Sequence, residues 1–492
     1  MIIKSNPPII VFRLNLEYNK MIVIKAYLYK EVKKLKSLLK RTMRYINNLD
    51  PAQIMVMGFA AVILFGAFLL SLPIATKNGE SISFLDAVFT ATSAVCVTGL
   101  IVVDTATYWS HFGQIVIITL IQIGGLGFMT IATMFALLTK KKINLRERLL
   151  IQESLNQRDL SGMVKLTRYV ILITLLIEGI GAILLSFTFI PQFGLGRGIW
   201  YSIFHAISAF CNAGFDLMGS VSGPFTSLTS YVDNFMIVMT ISTLIILGGI
   251  GFPVMLDVIN TKKLSRLNMH SKIVLVTTSI LIAIGTVFIF IVEFNNPKTL
   301  GPLSIMGKAL AAFFQSVTVR TAGFNTIDLT LIQESSLFIM IILMFIGASP
   351  ASTGGGIKTT TLAALVITVK SFISGKADIE AYERRISASV VTKAVGIFFI
   401  AISLVVLGTL ALSLTDPGFT LVECGFEIVS AIATVGLSIG GSPNLTSMGK
   451  VVVMIAMFIG RVGSLTIFVA LLSRGAKKKP PVRYPEGKII VG

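Results

Sequence analysis

The feature that most constrains this chain is a recurrence of uncharged, apolar stretches about as long as a bilayer is thick. A spanning helix needs about 20 mostly apolar residues. Stretches of that size lie at 51–76, 112–139, 234–256, 273–292, 335–357, 394–415 and 428–449. Two more carry one interruption each, Glu178 within 169–190 and Arg461 within 451–473. Of the 492 residues, 54% are hydrophobic and only 13% charged, against about 25% charged in soluble domains. Too few charges remain to cover a soluble body of this size, and the chain is far too apolar to be disordered. The expected fold class is therefore an all-α membrane protein.

The net charge of +19 would suit nucleic-acid binding, but its distribution points to topology. Segment 1–50 carries 11 Lys/Arg, loop 139–168 carries 8, 260–272 carries 4, 358–393 carries 6 and 474–492 carries 6. The alternate loops hold only Lys77, Arg197, Lys298, Lys308, Arg320 and Lys450, and Arg461 lies inside a span. Positive residues mark cytoplasmic loops, so both termini are expected in the cytoplasm and the number of spans is even. Eight spans are predicted, near 51–72, 112–138, 169–190, 233–259, 273–294, 336–369, 394–414 and 448–473. Residues 25–46 resemble a basic amphipathic helix at the membrane surface, with anionic lipid or a soluble acidic partner as its contact. Residues 1–24 match no pattern.

Each outside loop holds a shorter apolar stretch, at 84–95, 199–210, 304–317 and 419–431. About 12 residues cannot span a bilayer but suit a re-entrant half-helix, which must be buried or line water. Each half-helix ends in a related sequence: Ser93 to Leu100, Ser208 to Phe215, Val317 to Phe324 and Ser430 to Leu437. Gly99, Gly214, Gly323 and Gly436 recur at near-equal spacing. A second glycine cluster recurs in the following span, at Gly124–Gly127, Gly248–Gly251 and Gly460–Gly463. Such self-similarity predicts a repeat architecture: four pseudo-symmetric membrane–pore–membrane repeats, with eight spanning helices and four re-entrant pore helices around one pore. The repeats are placed at 51–138, 165–259, 272–370 and 390–474, between a basic N-terminal segment 1–50 and a tail 475–492.

Four loops converging on an axis can offer carbonyl oxygens to a dehydrated cation. Glycine there permits backbone angles closed to other residues and removes side-chain bulk. The expected filter residues are Val97, Thr98 and Gly99; Asn212, Ala213 and Gly214; Thr321, Ala322 and Gly323; Thr434, Val435 and Gly436. These positions carry no carboxylate ring, which favours a monovalent over a divalent cation. The third repeat's second span is interrupted by Gly347 to Lys358. Its Pro350, Gly354, Gly355 and Gly356 cannot continue a regular helix, and it is read as a gating loop below the filter. Arg461, alone in mid-span and equivalent to Gly125 and Gly249, is read as the gate's partner through that loop's carbonyls and hydroxyls, with Glu427 as an alternative mate. Arg320, within the third filter loop, is expected behind the filter as a brace, toward Glu423 or Glu427. His205 is expected to brace its pore helix, Glu178 to pack in the bundle, and Cys96 and Cys211 to back the filter without a metal. Three histidines and no catalytic carboxylate pair argue against an enzyme. A sodium- or proton-coupled secondary transporter is the alternative, although such proteins usually place carboxylates at the break.

These motifs resemble the Trk/Ktr/HKT superfamily of potassium transporters. The match is carried by the four loops, by the run from Gly347 to Thr361 and by Gly460 to Thr466. The similarity is greatest to KtrB-type membrane subunits and covers about residues 45–475. It implies a bacterial plasma-membrane subunit of a potassium uptake system, with potassium as permeant ion and sodium as activator. It further implies a homodimer and a cytoplasmic ring of KtrA-like subunits that carry the nucleotide. No nucleic acid and no covalent cofactor are expected.

Overall fold

The computed structural model describes residues 49–127, 130, 133, 163–376 and 378–463. The basic segment 1–48, most of the loop 139–168 and the tail 475–492 lie outside the described residues. Within them the chain is almost wholly helical. The long helices are α1 (Pro51–Leu70), α4 (Met163–Phe193), α8 (Met269–Glu293) and α12 (Ala388–Thr415). All four are long and apolar enough to cross a membrane. Their outward residues are apolar and exposed, Phe65, Leu175, Phe187, Ile291, Phe399 and Leu414 among them, while Thr174, Glu178 and Thr278 are buried. That is the reverse of a water-soluble helix and matches a hydrocarbon solvent.

A shorter apolar helix follows each long one: α2 (Phe84–Cys96), α5 (Leu195–Phe210), α9 (Ile305–Thr318) and α13 (Leu421–Ile432). Three begin at a hydroxyl cap. Ser83, Ser304 and Thr420 accept from the backbone N–H of Asp86, Gly307 and Glu423, satisfying a donor the first turn leaves free. The helices that follow are α3 (His111–Leu126), α6 (Phe235–Ile250), α10 (Glu334–Phe345) and α14 (Ser447–Val462). A surface helix α7 (Phe252–Thr261), a helix α11 (Thr359–Ile373) and a two-residue hairpin pairing Glu380–Ala381 with Arg384–Arg385 complete the described elements used below.

Packing follows chain order. Each short helix packs on the long helix before it, and α2, α5 and α13 pack also on the helix that follows them. Each later helix also meets the next short helix: α3 on α5, α6 on α9, α10 on α13, and α14 on α2. The last contact joins the end of the chain to its beginning, reinforced by Lys450 Nζ on Asp86 Oδ1 at 2.6 Å.

Three of the predicted spans require correction. The stretches 112–138, 233–259 and 448–473 are not continuous helices. Each helix stops at a glycine with φ near +90°: Gly127 (+80°), Gly251 (+92°) and Gly463 (+92°). At Gly251 the axis turns by 97° into α7. Only glycine adopts that backbone at no steric cost, and Pro253, in the first turn of α7, starts the new helix as proline commonly does. In the segment 336–369 the helix is interrupted from Ile346 to Lys358, between α10 and α11, as its glycines and Pro350 led one to expect.

Candidate functional site

The short helices α2, α5, α9 and α13 deliver their C-terminal ends to one place. Three of them end alike. Thr98, Ala213 and Val435 donate to the carbonyls of Ser93, Ser208 and Ser430 at 2.8 Å. Val97, Asn212 and Thr434 donate to Ala94, Ala209 and Ala431 at 3.1–3.2 Å. That is the Schellman pattern, but with a β-branched or Asn residue where glycine is usual: φ is +56° at Val97, +59° at Asn212 and +50° at Thr434. In the third loop Thr321 has φ +79°, but Ala322 donates to Thr318 instead. A β-branched residue in this region is a real outlier, costing about 1–3 kcal/mol that surrounding contacts must outweigh.

Two residues on, Gly99, Gly214, Gly323 and Gly436 have φ of +97°, +71°, +83° and +89°, while Thr98, Ala213, Ala322 and Val435 between them do not. Successive residues therefore alternate in the sign of φ across each loop. The four glycines form a closed ring in chain order. A Cβ added to Gly99 would lie 2.5 Å from Ala213 O, one on Gly214 2.8 Å from Gly323 Cα, and one on Gly436 2.9 Å from Gly99 Cα. One on Gly323 would lie 2.6 Å from Val435 O.

Hydroxyls near the ends of the short helices hold these loops. Ser93 and Ser430 accept from Gly99 N and Gly436 N at 3.0 and 3.1 Å. Ser208 and Thr318 donate to Phe215 O and Phe324 O at 2.7 and 2.6 Å. The sequence reading did not single these hydroxyls out, although the serine six residues before the glycine in three of four loops was its signal. His205 Nδ1 donates to Tyr201 O at 2.7 Å and Nε2 accepts from Leu217 N at 3.3 Å, tying α5 to the segment beyond its glycine.

One cavity of about 720 Å³ opens on the glycine ring and is also lined by Asp216 and Lys298. Asp216 sits in a loop outside the spanning helices and accepts from Met218 N at 2.8 Å. Burial pushes its carboxyl up to about 7, opposed by the Met218 N–H and assisted by the nearby charge of Asp104.

On the other side of the ring lies the segment 346–358. Thr353 N and Ser349 N donate to Gly248 O and Gly249 O at 3.2 and 2.9 Å, and Phe252 N donates to Ala351 O at 3.0 Å. Thr353 Oγ1 donates to Phe210 O at 3.1 Å. Gly354 and Gly355 pass so close to the Thr321 and Thr434 hydroxyls that neither can carry a side chain, and Gly347 meets Gly355 and Gly356 as closely. A Cβ on Gly251 would lie 2.5 Å from Pro350 O. The Asn212 amide bridges the neighbouring loop at 3.2 Å to Thr321 Oγ1. Two cations grip the segment. Lys358 Nζ donates to Gly354 O at 2.7 Å. Arg461 Nη1 donates to Thr353 O, and its Nη2 to Gly124 O and to Gly125 O. Both cations line a second cavity of about 330 Å³.

Arg320 departs from its expected partners. It is 7% exposed and its Nη2 faces Gly347 O at 3.4 Å, a carbonyl at the root of the broken segment. Glu427 accepts instead from Ser438 and Ser442, and Glu423 from Thr420. The alternative pairing of Arg461 with Glu427 is likewise replaced by carbonyls. Cys96, Cys211 and Cys424 are free thiols, and no cluster of three His, Cys, Asp or Glu suited to a metal occurs among the described residues.

Residues 19–476 match the TrkH family, described as cation transport proteins. The chain is 42% identical over 459 residues to the potassium/sodium uptake protein NtpJ of Enterococcus hirae, covering 93% of this chain and 100% of that protein. It is 42% identical over 442 residues to the Ktr system potassium uptake protein B of Bacillus subtilis, covering 90% and 97%. With the corresponding Vibrio alginolyticus protein the identity is 38%, covering 89% and 94%. Among solved structures, the potassium transporter TrkH from Vibrio parahaemolyticus superposes with a TM-score of 0.65 at 18% identity, covering 84% of each chain. The chain is a membrane protein of the TrkH family of cation transport proteins.

Proposed function

We propose that the chain is the ion-translocating membrane subunit of a potassium uptake system, built as four membrane–pore–membrane repeats around one pore. The observation that carries this reading is the closed ring of Gly99, Gly214, Gly323 and Gly436, met in chain order by four half-helix ends. Carbonyls of residues 97–99, 212–214, 321–323 and 434–436 replace part of the ion's water shell. The C-terminal ends of α2, α5, α9 and α13, each equivalent to about half a negative charge, favour a cation at the ring. A ring of carbonyls with no carboxylate suits a weakly hydrated monovalent ion, and the relatives' names include potassium uptake.

The cavity with Asp216 is the outer mouth and the cavity with Arg461 the inner one, the orientation that the clustered Lys/Arg give. Segment 347–358 then closes the path directly beneath the ring. Lys358 and Arg461 add a positive barrier there, and Arg320 braces the third filter loop against Gly347. Opening requires the segment to leave Gly248, Gly249 and Arg461. A cytoplasmic regulatory subunit carrying a nucleotide-binding site supplies that signal, in keeping with relatives named as members of a Ktr system. Two chains form a homodimer, and sodium is an activator. Expression in a bacterium lacking potassium uptake tests the reading. Growth at low potassium, lost when Gly436 is replaced by Asp, supports it. Failure to grow with the regulatory subunit co-expressed and the chain present in the membrane contradicts it.

A further inference from the structure

Glu178 stands at the middle of α4, 5% exposed, on a helix otherwise apolar at that depth. An ionisable group there is costly to bury and asks for polar partners. Its Oε2 accepts from Gln122 Nε2 at 3.2 Å, and its Oε1 meets the Cys211 thiol at 3.8 Å. The same thiol reaches Gln122 Oε1 at 3.5 Å. These three residues join α4, the last turn of α3 and the residue next to the strained Asn212.

The last turn of α3 is also where Arg461 binds, through the carbonyls of Gly124 and Gly125. A Cβ on Gly125 would lie 2.7 Å from Cys211 Sγ, so that turn is clamped between Cys211 and Arg461. Every hydrogen bond that Arg461 makes among the described residues goes to a neutral carbonyl.

Resting on the reading of 347–358 as a gate, we propose that Glu178 is a positioning residue for it. Through Gln122 and Cys211 it fixes the last turn of α3, where Arg461 binds. The closed segment is therefore held from a helix that touches neither the segment nor the glycine ring through any of these bonds.

The test is basal rubidium uptake by the full chain in a potassium-uptake-deficient bacterium, normalised to protein in the membrane. Glu178→Gln keeps the shape but replaces one of the two acceptor oxygens by an NH2, breaking the link to Gln122 or to Cys211, and raises basal uptake about two- to tenfold. Gln122→Met, which breaks the same link from α3, raises uptake in the same direction and serves if Glu178→Gln fails to reach the membrane. Arg461→Ala raises uptake by itself, and Glu178→Gln adds nothing in that background. If Arg461→Ala raises uptake while Glu178→Gln and Gln122→Met leave it unchanged, the gate stands and the positioning role falls. If the effects of Glu178→Gln and Arg461→Ala add fully, Glu178 acts elsewhere and the proposal is overturned. If Arg461→Ala changes nothing, the gate reading fails and the proposal fails with it.

Discussion

Gly99 cannot acquire a side chain without moving Ala213, and its φ of +97° is open to glycine alone. Gly99→Ser is therefore expected to widen the ring on one side and lower discrimination of potassium over sodium by about tenfold, or 1.4 kcal/mol. Paired rubidium and sodium flux measurements check this, and unchanged selectivity would remove Gly99 from the filter. Asp216 makes a second prediction at this scale. Its carboxyl, pushed up to about 7 by burial, is neutral below that pH and ionised above it. Raising external pH through that value adds a negative charge at a cavity shared with all four glycines. Cation uptake should rise across that range, and Asp216→Asn should flatten the rise. The four glycines and Arg461 stood out in the sequence because glycine clusters and a charge in mid-span are chemically conspicuous. The partners of Arg320 did not. A sequence shows that a buried cation needs compensation, but not that Gly347 O lies nearer than Glu427, whose carboxylate Ser438 and Ser442 occupy.

At the scale of elements, hydropathy located the four long helices closely but missed the breaks at Gly127, Gly251 and Gly463. Apolar residues continue through each break, and a single residue with positive φ leaves no trace in an average. Gly251 followed by Pro253 was the local signal available. Gly251→Ala should cost about 1–2 kcal/mol from backbone strain, added to the encounter with Pro350 O. Thermal unfolding in detergent measures it, and an unchanged midpoint would count against the strained break. Removal of 350–356 takes away the Thr353 and Ala351 contacts and the carbonyls that Lys358 and Arg461 hold. If the segment is a gate, the shortened chain should leak, with several-fold higher basal rubidium uptake. A deletion that is present in the membrane and no leakier than the parent would show that the segment does not block the path.

For the molecule as a whole, the order of contacts is the informative fact. Each short helix is shared between its own segment and the preceding one, and α14 returns to α2. Most of the polar residues that matter here, among them Thr98, Ser208, Thr321 and Arg320, are buried, while the long helices expose apolar side chains. The net charge of +19, which first suggested nucleic acid, collects in alternate segments of the chain, the distribution a membrane topology would give. The central claim is that cations cross at the glycine ring of this one chain. Its most direct test is rubidium and sodium flux into liposomes holding the purified full-length chain, its Gly99→Ser variant or the 350–356 deletion. The account predicts rubidium flux well above sodium flux in the parent and a narrowed ratio in the variant. Absence of flux from the 350–356 deletion as well as the parent, or identical ratios in parent and variant, would contradict it.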